Sequence, residues 1–350
     1  MGLGVTIAAG MIPDPDLTQR ATEVVVEERL GAPTRFAIVF PVDIVNGDLP
    51  FLADPRIGPG ATVMIVGPDG QECLVRGIVH GHRISLVTGG EGSSVEVLGT
   101  DMSVALDRET KVTAWPNVTD GEAAMAILGQ NALVPDVETT SSRHLMTQNV
   151  LVQRGTDLAF LRMLARRNGF LFWVTSSVLG IDTGHFKPPP VAGEAATVLS
   201  IKDQDSALSA IEITWDVERP TSATAHGLDL ANKSSLTGSA LQSPLAPQGA
   251  MPLAAIAPEP RTAMPAVVAN DVGGLTARAE SILAGDGFFI TARCKTTPEA
   301  AGGVVRAHTL VTLDGAGTLH SGSYLVGSVS HRVSPTAHVM DLTLLRNAWG

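Results

Sequence analysis

The sequence predicts a mainly β protein with a mixed α/β segment in its middle. Short runs rich in Val, Ile, Phe and Thr, partly alternating with polar residues, fill both ends of the chain. The 36 glycines and 22 prolines are what many short strands joined by turns require. Between the β-rich ends, from about residue 101 to 200, helical spacing appears.

Residues 21–100 read as strands in succession. ATEVVVEER and PTRFAIVFPV are bounded by turn residues. ATVMIVGPDG ends in a Pro-Asp-Gly turn and leads into QECLVRGIVHGHRISL, and SSVEVLG closes the set. Over Cys73–His80 the alternation is partial, as for a strand with one buried face. About five strands with short connections predict a small barrel or sandwich.

In the middle segment, DGEAAMAILGQN reads as a helix with Asp120 at the N-cap, Glu122 in the first turn and Ala123, Ile127 and Leu128 on one side. A strand follows over 149–153. A second helix then begins with Thr156 as N-cap and Asp157 in its first turn. Leu158, Leu161, Leu164 and Ala165 supply contacts at helical spacing, beside Phe160. Arg162, Arg166 and Arg167 lie toward its C-terminal end, where cations complement the helix dipole, and read as solvated or salt-bridged. Gly169 is placed for the left-handed C′ position, and Phe170–Val174 is an apolar strand.

Three consecutive prolines at 188–190 break the pattern. LSAIEITWDVE (208–218) restarts the strand signal. Residues 234–266, rich in Ser, Pro, Ala and Gly and nearly uncharged, read as a long exposed loop, ordered only where a partner holds it. A helix is expected over Leu275–Leu283 with Gly285 at its stop. FFITARCKT, VVRAHTLVTLDG, GSYLVGSVSHRV and AHVMDLTLLRN are four further strand signals, spaced as in an antiparallel meander. No fixed-period repeat is evident, although the two β-rich ends have the composition of structural relatives.

Composition bounds the function. The 350 residues are 44% hydrophobic and 17% charged, a globular balance. The formal net charge of −11 argues against nonspecific binding to nucleic acid or anionic membrane. Only Cys73 and Cys294 are present, so neither a disulfide framework nor zinc-ligand spacing exists and a reducing compartment is expected. No signal sequence or run of about 18 apolar residues is seen. Gly2–Thr6 meets the loose N-myristoylation pattern, and Asn117-Val118-Thr119 and Asn232-Lys233-Ser234 are sequons that matter only on a secretory route.

The candidate chemistry is thin. His80 and His82 would share one strand face, but neither a third ligand nor HExxH accompanies them. His308, His320, His331 and His338 match no ligand motif. LHSGSY (319–324) resembles a nucleophile elbow only superficially, since its serines fall in a Gly-rich turn. The pairs Glu27-Glu28 and Asp107/Glu109 carry no argument for acid–base work without proximity in space. The expectation is therefore no catalytic residue, no cofactor-binding residue, no metal ligand and no cofactor.

Gln153-Arg154-Gly155-Thr156-Asp157-Leu158-Ala159-Phe160-Leu161, continued by Leu164-Ala165-Arg166-Arg167-Asn168-Gly169, resembles the Q-x-G-T-D-x-x-F-L-x-x-L-A-x-x-x-G segment of the phage late control gene D proteins. These are tail hub proteins related to the hub half of VgrG in contractile injection systems. Leu106-Asp107-Arg108-Glu109 with Trp115-Pro116-Asn117-Val118-Thr119-Asp120 resembles that family's entry into its middle domain. Gly322-Ser323-Tyr324-Leu325-Val326 with Val329-Ser330-His331, and Leu344-Leu345-Arg346-Asn347, resemble its closing hairpin and end. The resemblance covers most of residues 20–347.

What it implies is a scaffold rather than an enzyme. The expected fold is two small tube-type β-barrel domains plus a mixed α/β middle domain, assembled as a pseudo-sixfold trimer. The expected divisions are an N-terminal extension over 1–20, a first barrel over 21–103, an inserted α+β domain over 104–200 and a second barrel over 201–350. The expected partners are two further copies, a hexameric inner tube protein, a trimeric spike on a separate polypeptide and other baseplate components, without membrane insertion or specific nucleic acid. The expected place is the cytoplasm during assembly, then the baseplate of a phage-like particle or injection system. The competing readings are a stand-alone β-barrel module for carbohydrate or nucleic acid and a tail-tip cell-wall hydrolase.

Overall fold

Alternation in the first β-rich region does what it predicts. In the computed structural model, which describes residues 3–147, 150–202, 206–229, 232–266 and 271–350, Glu23–Arg29 buries Val24, Val26 and Glu28, and Arg35–Pro41 buries Phe36, Ile38 and Phe40. Gly2 of the acylation pattern and Asn149 of the expected 149–153 strand lie outside the described residues; the strand there is Leu151–Gly155. Val63, Ile65, Leu74, Val95 and Val97 complete this core from Thr62–Val66, Cys73–Ser85 and Ser94–Asp101. Gly99 is required here: a Cβ would lie 2.0 Å from the Phe36 ring.

The second region repeats the plan. Its strands are Thr197–Ser200, Ile211–Trp215, Ile290–Thr296, Leu310–Asp314, Gly322–Val333 and His338–Arg346, around Leu199, Val311, Leu313, Tyr324 and Met340. Of VVRAHTLVTLDG, only the second half is strand. Residues 304–309 turn away instead, His308 taking φ +65°, and carry Arg306 and His308 toward the first region.

All these strands belong to one 13-stranded sheet. Its order runs 211–215, 290–296, 338–346, 322–333, 23–29, 35–41, 94–101, 73–85, 62–66, 6–9, 12–13, with 310–314 and 197–200 branching from 322–333. Taken in chain order, the strands 6–9, 23–29, 35–41, 62–66, 73–85 and 94–101 neighbour one another as do 197–200, 211–215, 290–296, 310–314, 322–333 and 338–346. The long strands carry matching bulges, between Val79 and Gly81 and between Val326 and Ser328. Aligned on those bulges, core-facing positions coincide: Val95 and Val97 with Met340 and Leu342, Phe36 and Ile38 with Ala292 and Cys294, Val24 and Val26 with Ile211 and Ile213. The repeat is thus one of strand order and register rather than of residue identity, and it departs at the first strand, where 6–9 runs antiparallel to 62–66 but 197–200 runs parallel to 310–314.

The repeats join head to tail. Ser328–Val333 pairs antiparallel with Val24–Arg29. The equivalent strand pieces at the two ends of the sheet, Gly81–Ser85 and Ile211–Trp215, each have one strand neighbour among the described residues and one open edge.

Two insertions decorate the repeats. The middle segment contains the three-stranded sheet of Val134–Val137, Asp182–Lys187 and Leu171–Ser176, covered by helices Asp120–Gln130 and Asp157–Arg167 over Ile127, Leu128, Leu161, Leu164 and Phe186. The first helix is capped by Thr119, not Asp120, in a reciprocal capping box with Glu122. The second insertion lies between Ile211–Trp215 and Ile290–Thr296. It pairs Ser222–Asp229 with Ser234–Ala240 and Thr262–Ala263 under helix Val272–Asp286, whose cap is Gly287 rather than Gly285.

The loop expected over 234–266 is therefore corrected at its start. Small residues are what the helix needs there: Ala223, Ala225, Gly238 and Ala240 form the face beneath it, and a Cβ on Gly238 would meet the Thr276 nitrogen at 2.3 Å. The 246–248 part is held by the chain itself. Gln248 N–H donates to Asn347 Oδ1 (2.7 Å), and Asn347 Nδ2 donates to the Ala246 carbonyl (2.9 Å).

Candidate functional site

Two polar networks hold the insertion and the repeats in place. The first explains the Gln-x-Gly-Thr-Asp motif. Gln153, 1% exposed, accepts from Trp115 Nε1 (3.2 Å) and donates to Asp157 Oδ1 (2.7 Å). Asp157 also accepts from Lys111 (2.7 Å) and Asn131 (3.1 Å). Burial would raise the Asp157 pKa, but these donors outweigh it and hold the carboxyl below its usual range. Thr156 caps Ala159 N–H and donates to Asp107 Oδ1 (2.5 Å), which gives the Leu106-Asp107 motif its role.

The far end of that helix is a second clamp. Gly169 has φ +68°, as its C′ placement predicts, and Phe170 N–H donates to the Ala165 carbonyl (2.9 Å), closing a Schellman motif. Arg167 is ion-paired with the buried Asp120, which also accepts from Asn168 Nδ2 (2.6 Å) and meets His144 Nε2 (2.8 Å). Arg162 and Arg166 are exposed. Arg278 from the second insertion donates to the Arg167 carbonyl (2.5 Å), and a Cβ on Gly169 would stand 3.1 Å from Ser281 Cα. The two insertions thus touch through this glycine.

The seam between the repeats is the site that sequence reasoning missed. Glu28, 5% exposed, accepts from Arg306 Nε (2.6 Å) and Ala307 N–H (3.2 Å), and His331 Nε2 lies 3.5 Å away. Arg306 reaches on to the Cys73 and Leu74 carbonyls (2.8 and 2.9 Å). One guanidinium from the second repeat therefore ties two strands of the first. Burial opposes ionisation of Glu28, yet the Arg306 charge and the hydrogen bonds from His331 and Arg306 prevail and hold its pKa at about 2. His331, 0% exposed, places Nδ1 3.2 Å from His338 Nε2. Beside this, His308 stacks on Trp173 (centroids 4.1 Å apart), whose other stacked neighbour is His185 (4.6 Å). His308 Nε2 accepts from Gly31 N–H (3.1 Å), which requires a neutral ring, and burial holds its pKa at about 3. A cleft of about 370 Å³ opens here between the middle segment and the repeats.

Tyr324 and Arg346 form a third cluster. Arg346 is 1% exposed, lies 5.3 Å from the Tyr324 ring, and donates to the Gln248, Leu319, Ser321 and Gly350 carbonyls. Gly322, with φ +130°, leaves room for the guanidinium, since a Cβ would sit 2.7 Å from it. The closing-hairpin motif and the Leu-Leu-Arg-Asn ending thus meet in space.

Of the histidines weighed in the sequence, His331 and His338 meet, whereas His80 and His82 take separate partners. His80 contacts Thr100 Oγ1 (3.1 Å) and His82 contacts the Ile57 carbonyl (2.7 Å). Glu27 faces outward toward Arg29 while Glu28 is buried. Among the described residues no three His, Cys, Asp or Glu side chains are grouped as a metal would need. Burial pushes the Cys73 and Cys294 thiols up to about 11 and 12, so neither is an activated nucleophile. Among the described residues no helix is long and apolar enough to cross a membrane.

This joined sheet with its two insertions is the fold of phage and secretion-system tail proteins. It is similar to a tail protein from Neisseria meningitidis MC58 (14% identity, TM-score 0.68, covering 99% of this chain and 97% of that one). It is equally similar to the 43 kDa tail protein of prophage MuSo2 from Shewanella oneidensis (16% identity, TM-score 0.67, 99% of each chain). An E. coli protein described as a component of the type VI secretion system, with structural similarity to T4 bacteriophage tail proteins, shares 12% identity at a TM-score of 0.60 (93% of this chain, 73% of that one). No curated protein matches the sequence. A family model described as the Alg8 N-terminal domain matches residues 37–335, and the chain belongs to that family.

Proposed function

We propose that this chain is the hub of a contractile phage-like tail or injection system: a homotrimeric adaptor that joins a hexameric inner tube to a trimeric spike within the baseplate. In this reading each repeat is a tube-type barrel, and the chain is structural and does no chemistry. The reading rests on fold likeness, on the resemblance of the helix and hairpin motifs, and above all on the open joint.

Within the chain, His331 lies opposite Val26 where Ser328–Val333 meets Val24–Arg29. By the repeat, Ile84 corresponds to His331, Ile213 to Val26 and Trp215 to Glu28. These residues sit on the two unpaired edges, with Ile84 45% and Trp215 53% exposed. The same joint made between copies would continue the sheet from chain to chain. Three chains would then present six similar repeats around one axis.

The ends of such a ring would differ. The first insertion leaves after Asp101 and the second after Trp215. The pairings Asp101 with Thr34, Trp215 with Ile290 and Ile290 with Arg346 place both at the end of the sheet marked by the 30–34 turn. That end carries one copy of each insertion per chain, which suits a threefold spike. The other end carries the 86–93 and 334–337 turns of both repeats, which suits a sixfold tube.

The test is a double variant, Ile84→Cys with Ile213→Cys. Oxidation should give covalent trimers, about 109 kDa for three chains of 36.4 kDa, and neither single variant should do so. A protein that stays monomeric alone and with its tube and spike, with no crosslink formed, would refute the hub reading.

A further inference from the structure

We propose that His331 and His338 form a one-proton latch on the seam between the repeats, closed at neutral pH and opened when a second proton enters the pair. The geometry leaves little choice. The rings are 5.4 Å apart between centroids with Nδ1 of His331 3.2 Å from Nε2 of His338, at 0% and 7% exposure. One nitrogen must donate and the other accept, so at least one ring is neutral at that contact. Two imidazolium rings would set N–H against N–H in a site where His331 is wholly buried and His338 nearly so.

The charges around the pair set which ring donates at the contact. Glu28 on Glu23–Arg29 faces Nε2 of His331. Arg306 on the 304–309 segment shares that carboxylate, and Glu72, before Cys73–Ser85, lies 3.8 Å from Arg306. Glu299 on the short helix Pro298–Ala301 is the acid that acts on His338. A carboxylate beside His331 and a more distant one beside His338 favour His331 as donor and His338 as acceptor. Burial and the adjacent His331 hold the His338 pKa down at about 4. His308, the other buried histidine nearby, accepts from Gly31 N–H, and its backbone N–H donates to the Val326 carbonyl, just before the 328–343 stretch.

The position gives the latch its consequence. His331 pairs with Val26 on one side and Met340 on the other, and His338 pairs with Val333 at the end of the hairpin. A second proton therefore acts on the strand that both repeats share. The fold itself does not call for histidine and glutamate here, because the equivalent positions in the other repeat copy are Ile84 and Trp215.

Hydrogen exchange of the full chain at pH 7.5 and 5.0, corrected for intrinsic rates, tests this. An open-state histidine at 6.5 against about 4 in the closed latch predicts that opening of residues 328–343 rises on the order of 30-fold at pH 5.0. In His338→Gln, whose amide oxygen can still accept from His331, this rise should be lost, leaving the ratio at about one. Unchanged wild-type protection over 328–343, or an equal rise across 35–41 and 94–101, would overturn the latch. So would a folded His338→Gln protein that keeps the full rise. The wild-type exchange map decides the matter alone if that variant does not fold.

Discussion

Replacing Arg306 with Met should unfasten the seam. The guanidinium has three partners: Glu28, and the Cys73 and Leu74 carbonyls. Met fills much of the space but donates nothing. Glu28 would keep the Ala307 N–H and the more distant His331 ring while its side chain is 6% exposed. Breaking a buried pair on one side costs about 3–5 kcal/mol, and the 20% exposure of the Arg306 side chain favours the lower end. Urea unfolding followed by circular dichroism at pH 7 measures this. The double variant Arg306→Met/Glu28→Gln should recover part of the loss, because a neutral amide costs less to bury than an unpaired carboxylate. The pH dependence gives an independent check. In the wild type, Glu28 titrates near 2 in the folded state against 4.5 unfolded, so its contribution is present above pH 4.5 and lost as pH falls toward 2. In Arg306→Met the largest of the groups opposing burial is gone and the folded carboxyl titrates higher than in the wild type, so the gap between variant and wild type should narrow as pH drops from 7 to 4. A loss below about 1 kcal/mol at pH 7, or a double variant as unstable as the single one, would refute the account of the seam.

Other substitutions probe the insertion and the stack. Gly169→Val should cost about 2 kcal/mol or more, because φ +68° excludes a β-branched residue and a Cβ would crowd Ser281 and Ala284; an unchanged thermal midpoint would contradict this. Gln153→Leu should cost about 1–3 kcal/mol by stripping partners from Trp115 and Asp157, read from the loss of midpoint in denaturant. His308→Phe should keep the contact with Trp173 and flatten the acid limb of stability. The wild-type ring is neutral when folded, so stability falls as pH drops from 6.5 toward 3, and the variant has no such group.

Legibility in the sequence followed locality. Helix Asp157–Arg167, its Thr156 cap and its Gly169 stop were readable because each depends on residues within one turn. The strands were readable where alternation was strong. Asp120 was misplaced at the cap because Thr119 and Asp120 are both good capping residues, and only the Glu122 reciprocal bond decides between them. The 234–240 strand was hidden because its Ser, Gly and Ala content looks like loop, although small residues are what a strand beneath a close helix needs. The seam did leave a trace. In Val24-Val25-Val26-Glu27-Glu28 the alternation points Glu28 inward with Val24 and Val26, so one of two adjacent acids had to be buried. Its partner, Arg306, is 278 residues away, and no local pattern announces it.

The contrast between the closed and the open joint bears on why the seam is polar at all. An ion pair with satisfied carbonyls adds little net stability over a well-packed apolar pair, but it fixes which groups must meet. The chain has two edges able to receive Ile211–Trp215 or Glu23–Arg29, and both strands are flat, short and rich in β-branched residues. If both joints were apolar, either strand could pair with either edge, within a chain or between chains. Glu28 opposite His82 would bury a carboxylate with no guanidinium, and Trp215 opposite Val329 would leave Arg306 without its acid. Each wrong pairing strands a charge, at about 3–5 kcal/mol, whereas the right ones do not. In the proposed ring the buried charges at Glu28 and Arg306 would act against misassembly, and exchanging Glu28 and Arg306 for apolar residues should leave the monomer folded while allowing mispaired oligomers to appear in native mass spectra.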